Sequence, residues 1–331
     1  MNTWGYKLRL SIFGESHGPA IGVVMDGLPP GEPIDLEDVA RELLRRAPGR
    51  DETATARREE DTAEVLSGLL MGRTTGAPLC AVIRNRDTRS GDYDAKLRPG
   101  HADWTALLKY KGHTDRRGGG HFSGRLTAPL VFAGAAAKQI LGRHGVTVAG
   151  RAARIGAVTD PDGMRTEILA AKADGDSVGG VIEAVAVGVP GGLGEPFFAS
   201  LESVTASLLF AIPAVKGVEF GDGFGLAGLR GSQANDELYL DGGHIRAHTN
   251  HNGGILGGIT NGEPVVVRAA FKPTPSIARP QRTVDAGTMQ ETELTVRGRH
   301  DPCIAPRALP AVEAALALSI LDCMLMAGEG Q

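Results

Sequence analysis

A chain of 331 residues, of which 42% are hydrophobic and 22% charged, has the composition of a globular protein with a substantial core. The net charge of −4 and the aromatic content of 5% argue against a nucleic-acid-binding protein. Three widely spaced cysteines argue against a disulfide framework and favour a cytoplasmic protein, and we expect neither a leader sequence nor an apolar run that spans a membrane. The 47 glycines, about twice the usual share, indicate many tight turns.

The first predicted strand covers residues 7–13, and the sequence Gly-Glu-Ser-His-Gly follows it at positions 14–18. Apolar and polar residues alternate along it, as in a half-buried strand, and a second apolar run follows at 20–25. The glycines let a ligand approach the backbone, and His17 is of a residue type that can gain or lose a proton near neutral pH. Taken alone, the segment is more typical of a tight surface turn, so its interpretation depends on the other motifs.

The later elements follow from cap residues, prolines and apolar runs. Strands are predicted at 79–84, 178–189 and 264–271, and helices at 36–44 after Asp35, 125–141 after Ser123, 201–209 after Ser200 and 307–326 after Pro306. The helices that follow Ser123 and Pro306 are rich in alanine and leucine, which indicates tight packing against neighbouring elements.

One strand–turn–helix pattern occurs twice. Residues 24–39 contain a strand end, a Gly-x-Pro turn, a Glu-Pro loop and an amphipathic helix, and residues 186–204 repeat these features in the same order. Turns of glycine and proline are common enough for a chance match, but the shared order favours duplication. We therefore predict one domain, residues 1–331, made of two related halves, about 1–150 and 151–331, with a site between them.

Many of the arginines stand in or beside glycine-rich loops instead of along one helix face. A guanidinium group binds phosphate or carboxylate through a fork of donors, so the pattern favours a small ligand with several negative charges; for any single arginine, solvated surface charge is the alternative. The segment 116–127, Arg-Arg-Gly-Gly-Gly-His-Phe-Ser-Gly-Arg-Leu-Thr, leads a glycine loop into a helix start, where free amides favour an anion. It matches neither a Walker loop nor the dinucleotide fingerprint.

Three further loops carry polar side chains. In the turn 98–103, His101 stands near Asp103, as a proton donor with an orienting carboxylate would. The loop Lys272–Ser276 follows an apolar strand and offers hydroxyl groups, and Asp301 precedes the last helix as a group that can accept a proton. These loops are candidates for the other walls of the same site.

Three histidines could suggest a metal site and one cysteine a nucleophile, but we expect neither function. His244, His248 and His251 are spaced like metal ligands, but glycines and asparagines surround them, so no metal site is predicted. Cys303 lacks the nearby base that a nucleophile needs, and we expect a buried thiol.

Along essentially its whole length the chain resembles the chorismate synthases. The resemblance rests on the blocks 14–18 with 26–29, 118–127 and 298–303, and on shorter matches in the same order at 98–103, 188–190, 214–217, 230–233 and 253–258. It implies an α+β fold in which long central helices lie between two antiparallel sheets with an internal pseudo-twofold repeat. It also implies a homotetramer.

The resemblance implies an FMN-dependent carbon–oxygen lyase that eliminates phosphate from 5-enolpyruvylshikimate 3-phosphate to give chorismate, the last common step of aromatic biosynthesis. The family requires reduced FMN although there is no net redox change, and NADPH is a candidate reductant. The phosphate and two carboxylates of that substrate account for the arginines in the loops.

The matched motifs assign roles to individual residues. His17 would be an acid near the departing phosphate, His101 would protonate or hydrogen-bond the reduced flavin, and Asp301 would assist removal of the substrate proton. Substrate anions fall on Ser16, His17, Arg46 and Arg125. Flavin contacts fall on His121, Phe122, Ser123, Pro213, Ala214, Gly257, Lys272, Pro273, Thr274, Pro275, Ser276 and Arg299.

The chain also departs from the family pattern. Glu52 stands where many relatives have a basic residue associated with nicotinamide or anion binding, so NADPH contact there is open, and His244 and His248 have no family role. Two other functions are kept as alternatives: a flavin reductase that oxidises NAD(P)H, and a non-catalytic protein that binds RNA or another polyanion.

Overall fold

The computed structural model describes residues 2–49, 52–53, 61–86, 95–296 and 301–328. The helices are α1 (Leu36–Arg46), α2 (Asp103–Tyr110), α3 (Thr127–Arg143), α4 (Pro161–Ala173), α5 (Leu201–Ala211), α6 (Gly231–Ala234) and α7 (Ala305–Ala327). The strands are β1 (Thr3–Trp4), β2 (Arg9–Gly14), β3 (Ala20–Asp26), β4 (Ala63–Ser67), β5 (Leu69–Leu70), β6 (Arg73–Thr74), β7 (Leu79–Arg84), β8 (Thr147–Ile155), β9 (Gly180–Val187), β10 (Val215–Phe220), β11 (Leu238–Asp241), β12 (His244–Ala247), β13 (Ile255–Leu256), β14 (Ile259–Thr260), β15 (Val265–Phe271), β16 (Gln281–Asp285) and β17 (Gln290–Leu294).

Two antiparallel sheets repeat one topology. The first has the order β1-β2-β3-β7-β4 and the second the order β8-β9-β15-β10. In chain order the first repeat is β2, β3, α1, β4, β7 and α3, and the second repeat is β8, β9, α5, β10, β15 and α7. The strand register shifts within the β4–β7 pair of the first repeat and within the β10–β15 pair of the second. This order confirms the predicted α+β fold with an internal repeat. The division into halves near residue 150 stays a prediction that the repeat supports.

The long helices lie between the two sheets. Helix α3 packs on β3 and β7, helix α7 packs on β8 and β9, and the two helices pack against each other. At their crossing a Cβ on Gly134 would overlap the backbone of Ala314, so only glycine permits this approach. The sheets and helices share one apolar core, which gives the loops at the sheet ends a fixed frame.

Local sequence signals set several of these boundaries. The Asp35 carboxylate accepts hydrogen bonds from the backbone N–H groups of Glu37 at 2.8 Å and Asp38 at 3.4 Å, and α1 begins at the next residue, Leu36. Ser200 caps α5 in the same way, and β7 coincides with the predicted strand. The helix predicted over 125–141 begins later, because Ser123 caps a 3₁₀ turn before α3.

Helix α7 corrects one expectation. It is long and apolar enough to cross a membrane by length and composition, although no such run was predicted. Of its apolar window, 89% is buried inside the protein, as in a core helix. Its fully buried Asp322 accepts backbone hydrogen bonds from Tyr6, Lys7 and Leu8 at 2.8–2.9 Å, which ties the last helix to the segment before β2.

Candidate active site

The turn at 15–19 joins β2 to β3 and lies against the glycine loop 118–120. The backbone N–H of Ser16 donates to the carbonyl of Gly120 at 3.0 Å, and Nδ1 of His121 donates to the carbonyl of Gly14 at 2.8 Å. These bonds hold the glycine loop over the end of β2.

The glycine loop lets two imidazoles approach one stretch of backbone. Gly118, Gly119 and Gly120 have φ of +58°, +85° and +54°, which favour glycine. A Cβ on Gly118 would stand 2.5 Å from Nε2 of His17, and a Cβ on Gly119 would stand 3.3 Å from Nε2 of His101. The structure therefore brings His17 and His101 to neighbouring residues of the same loop.

A buried carboxylate orients His101, as the sequence predicted. Nδ1 of His101 lies 2.9 Å from Oδ1 of Asp103, and Arg98 donates to the same carboxylate from Nε at 2.8 Å and from Nη2 at 2.7 Å. Burial alone would raise the pKa of Asp103, but hydrogen bonds and charge from Arg98 and His101 lower it well below its usual range. The ionised carboxylate accepts Nδ1–H, which leaves Nε2 beside the glycine loop.

The loop Lys272–Ser276 lies against the turn that carries His101. Nζ of Lys272 donates to the carbonyl of Gly100, and the backbone N–H of Lys272 donates to Ala214 at 3.0 Å. Oγ1 of Thr274 is buried without a hydrogen-bond partner among the residues that the structure describes. These contacts bring the predicted flavin residues of this loop next to Pro213 and Ala214 and to His101.

Two of the predicted anion-binding arginines share a buried aspartate that the sequence did not reveal. Arg46 donates to Asp61 from Nη2 at 2.7 Å and from Nε at 3.1 Å, and Nη1 of Arg125 donates to the other oxygen. Side-chain exposure is 2% for Arg46, 3% for Arg125 and 1% for Asp61. Burial, together with the charges of Arg307 and Arg125, lowers the pKa of Arg46 to about 10 against the attraction of Asp61. Burial would raise the pKa of Asp61, but the two arginines outweigh it and lower that pKa.

The Arg125 guanidinium is also linked to the turn that carries His17. Nε of Arg125 donates to Oδ1 of Asn85 at 3.1 Å, while Nδ2 of Asn85 donates to the carbonyls of Glu15 and Gly18. Asn85 was missed from the sequence, although its position as the first residue after an apolar strand was a usable signal. Asp61 had no such signal, because it closes an acidic run.

Asp301 completes the arrangement on the side of α7. Its carboxylate accepts from Nη1 of Arg307, whose Nε donates to the backbone carbonyl of Arg46 at 3.2 Å. The neighbouring carbonyl of Pro302 accepts from Val178 at 2.8 Å, and Oγ of the adjacent Ser177 donates to the carbonyl of Thr274 at 2.7 Å.

Together these contacts form a closed circuit of loops. It runs through the turn 15–19, the glycine loop 118–120, the turn 98–103, the loop Lys272–Ser276, residues 177–178, residues 301–302, and the Arg307, Arg46, Asp61, Arg125 and Asn85 side chains. The circuit contains His17, His101 and Asp301 together with both predicted anion-binding arginines. Phe122, next to the loop, packs its ring 6.3 Å from that of Tyr110.

One predicted flavin residue, Gly257, is not brought to this circuit. Gly257 lies at the beginning of α5, where the carbonyl of the next residue, Gly258, accepts from Leu201. Ala214 lies beyond the other end of α5, and eleven helical residues span about 16 Å. Arg299 lies outside the described residues.

The remaining sequence candidates make contacts outside the circuit. His248 stacks on Tyr239 with ring centroids 4.4 Å apart, Nδ1 of His251 lies 2.6 Å from Asp222, and His244 is exposed on β12. Within the described ranges, no three His, Cys, Asp or Glu side chains are grouped to hold a metal ion.

Cys303 is buried in the protein, and Glu52 is bonded to α4. Cys303 is buried, as predicted, and burial raises the pKa of its thiol to about 11. Glu52 accepts from Arg165 of α4 at 2.5 Å, and its backbone carbonyl accepts from Lys172 at 2.6 Å. The acidic side chain at this position is therefore paired with a cation of α4.

The comparisons with known proteins agree with one another. A family model described as Chorismate synthase matches residues 8–325. The chorismate synthase of Thermococcus kodakarensis is 52% identical over 97% of this chain and 97% of its own length. That of Archaeoglobus fulgidus is 49% identical over 99% and 98%. A crystal structure of a chorismate synthase superposes with a TM-score of 0.77 at 30% identity, covering 98% of this chain and 93% of that one.

Proposed function

The chain belongs to the chorismate synthase family, and on that premise we propose how its residues carry out the reaction. Its activity is that of a chorismate synthase of the shikimate pathway, a lyase that acts on a small molecule. The substrate we propose is 5-enolpyruvylshikimate 3-phosphate, from which phosphate leaves in an anti-1,4-elimination. The observation that carries the proposal is the approach of His17 and His101 to one glycine loop, linked through Asn85 to buried Arg125.

The proposed substrate carries a phosphate and two carboxylates, so its site needs an excess of positive charge. Three arginines of the circuit, Arg46, Arg125 and Arg307, supply positive charge here, and Asp61 and Asp301 are among their partners. Arg46 and Arg125 are the proposed partners of the substrate anions. Because Asp61 already holds both guanidinium groups in place, they lose little side-chain entropy when a ligand binds.

His17 is the proposed acid for the departing phosphate. Its imidazole stands at Gly118, and transfer of its proton to the leaving oxygen reduces the charge that develops as the C–O bond breaks. Oγ of Ser16 is buried without a hydrogen-bond partner among the described residues, so it is a donor for a phosphate oxygen. Asp301 assists removal of the proton that the substrate loses at C6, with Arg307 orienting the carboxylate.

Reduced FMN is the proposed cofactor, and the residues of the circuit fit it. The buried hydroxyl of Thr274, which has no partner among the described residues, offers a hydrogen bond to a polar ring. When bound, the reduced flavin supplies electron density that assists C–O cleavage without net oxidation. His101, whose Nδ1–H donates to Asp103, gives a proton or a hydrogen bond from Nε2 when both ring nitrogens are protonated. The proposed holders are His121, Phe122, Ser123, Pro213, Ala214, Lys272, Pro273, Thr274, Pro275 and Ser276.

The proposal extends to the setting of the enzyme. The enzyme is a cytoplasmic homotetramer, and NADPH is the source of reducing equivalents for FMN. The enzyme has neither a nucleic-acid nor a membrane partner. The three cysteines are free thiols, two of them buried, which supports a reducing compartment. Many relatives have a basic residue at position 52, but Glu52 is acidic and is paired with Arg165. NADPH therefore needs a cation from another position. Light scattering of the purified protein tests the tetramer.

An anaerobic assay tests the reaction. The protein is incubated with 5-enolpyruvylshikimate 3-phosphate and chemically reduced FMN, and chorismate and phosphate are measured. We expect equal amounts of both products, and none with oxidised FMN. A folded sample that releases neither product would overturn the proposal. A parallel incubation with NADPH and FMN, without phosphate substrate, reports whether the protein also reduces its own flavin.

A further inference from the structure

The side-chain amide of Asn85 joins the turn that carries His17 to Arg125. Nδ2 of Asn85 donates to the carbonyl of Glu15 at 3.0 Å and to that of Gly18 at 2.8 Å, while Oδ1 accepts from Nε of Arg125 at 3.1 Å. Backbone carbonyls only accept and Nε of arginine only donates, so these three partners fix the orientation of the amide. An aspartate at this position would turn an acceptor toward two carbonyls.

These bonds hold both ends of the turn. Glu15 and Gly18 flank Ser16 and His17, and the turn's own backbone contributes the bond from the N–H of Gly18 to the carbonyl of Glu15 at 3.0 Å. The backbone N–H of Asn85 adds a bond to the carbonyl of the last residue of the turn, Pro19, at 3.2 Å. Asn85 is itself held at the end of β7, which pairs with β3, so it fixes the turn to the rigid sheet.

We propose that Asn85 is a positioning residue, which fixes the imidazole of His17 relative to the substrate anion that Arg125 binds. Proton transfer to the departing phosphate requires donor and acceptor at hydrogen-bond distance. A displacement of about 1 Å at such a donor lowers the rate on the order of 100-fold. This inference rests on the proposed acid role of His17.

A double-mutant cycle with Asn85→Ala and His17→Ala tests the coupling. In the wild-type background, Asn85→Ala lowers kcat on the order of 10- to 100-fold. In the His17→Ala background it lowers kcat by less than about 2-fold, because its effect passes through His17. Equal losses in the two backgrounds would overturn the inference, since Asn85 would then act through Arg125 or through the fold.

Binding gives a second readout that does not depend on turnover. Titration calorimetry of the flavin-free protein with 5-enolpyruvylshikimate 3-phosphate measures Kd, which we expect to change less than about 3-fold in Asn85→Ala. A rise in Kd as large as the fall in kcat would place Asn85 in substrate binding instead. If Asn85→Ala does not fold, Asn85→Asp, which keeps the acceptor for Arg125, goes through the same cycle.

Asn250 supplies the matched control. Its Nδ2 donates to the carbonyl of Pro264 at 2.8 Å and its Oδ1 accepts from Gly254 at 2.7 Å, so it fixes backbone in the same way in another loop. Asn250→Ala is expected to leave kcat within about 2-fold. An inactive wild type would overturn the proposed function itself. An active wild type that is sensitive to His17→Ala and indifferent to Asn85→Ala would overturn only this inference.

Discussion

His17 stands where a side chain at residue 118 would be: a Cβ on Gly118 would lie 2.5 Å from both Nε2 and Cδ2 of the imidazole. Gly118→Ala therefore displaces His17, in addition to the cost of a left-handed alanine, about 1–2 kcal/mol. We expect turnover to fall on the order of 100-fold, measured as chorismate formation with reduced FMN. Gly112→Ala is the control, since Gly112 is also left-handed but its Cβ would meet only Leu107 at 3.9 Å. Equal losses in the two variants would contradict a specific effect on His17.

Removal of the proposed proton-transfer groups should reduce activity more than stability. His17→Ala and Asp301→Asn are each expected to lower kcat at least about 100-fold, since a positioned acid or base contributes typically 10²–10⁴-fold. Their melting temperatures should stay within a few degrees of the wild type, on the order of 1 kcal/mol or less. Differential scanning calorimetry alongside the kinetic assay checks both. A melting temperature that collapses with the activity would assign a structural role instead.

Asp61 compensates two buried guanidinium groups, and its loss removes the counter-charge that they share. Asp61→Asn is expected to lower the free energy of unfolding by about 3–5 kcal/mol, as for a broken buried ion pair. Urea denaturation measures the change. The control is Glu64→Gln, which breaks the ion pair with Arg84 in which both side chains are more than half exposed, and which should cost at most about 1 kcal/mol. Similar losses in both variants would show that burial of the pair does not matter.

Asp103 should make stability depend on acidity. Its folded pKa lies below the ordinary value of 3.8, so the unfolded chain binds the proton more tightly than the folded protein does. The stabilisation is therefore complete above about pH 4 and is lost as the pH falls below that value. Asp103→Asn is expected to be less stable than the wild type near neutrality, with a difference that shrinks on the acid side. Denaturation series between neutral and acid pH test this, and a constant difference would refute it.

The parts of the fold that the sequence predicted are those that local physics decides. Asp35 and Ser200 accept hydrogen bonds from amides two or three residues away, so their helices could be predicted without any tertiary contact. The duplicated strand–turn–helix pattern also predicted the right architecture, because β3 with α1 and β9 with α5 occupy the same place in the two repeats of the topology. The beginning of α3 was misjudged because a 3₁₀ turn and an α-helix accept the same cap.

The site was predictable in its motifs but not in its distances. Gly257 and Ala214 were both selected by their match to family motifs. The motifs do not show that the two residues lie at opposite ends of α5. The pairing of Arg46 with Asp61 depends on how α1 lies relative to the segment before β4, which no local pattern encodes. The position of Asn85 after an apolar strand marked it as a candidate, but its bonds to the turn 15–19 follow only from knowing that this turn lies beside the end of β7.

The bonds from Asp322 to Tyr6, Lys7 and Leu8 join positions that are more than 300 residues apart. During synthesis on the ribosome, the beginning of the first sheet waits for its hydrogen-bond acceptor until the last helix has emerged. The nascent chain therefore also exposes the apolar face of the second sheet, on which α7 packs, until translation is nearly finished. A ribosome stalled before residue 322 would hold a chain that has every strand of the first sheet and still lacks the carboxylate that anchors it.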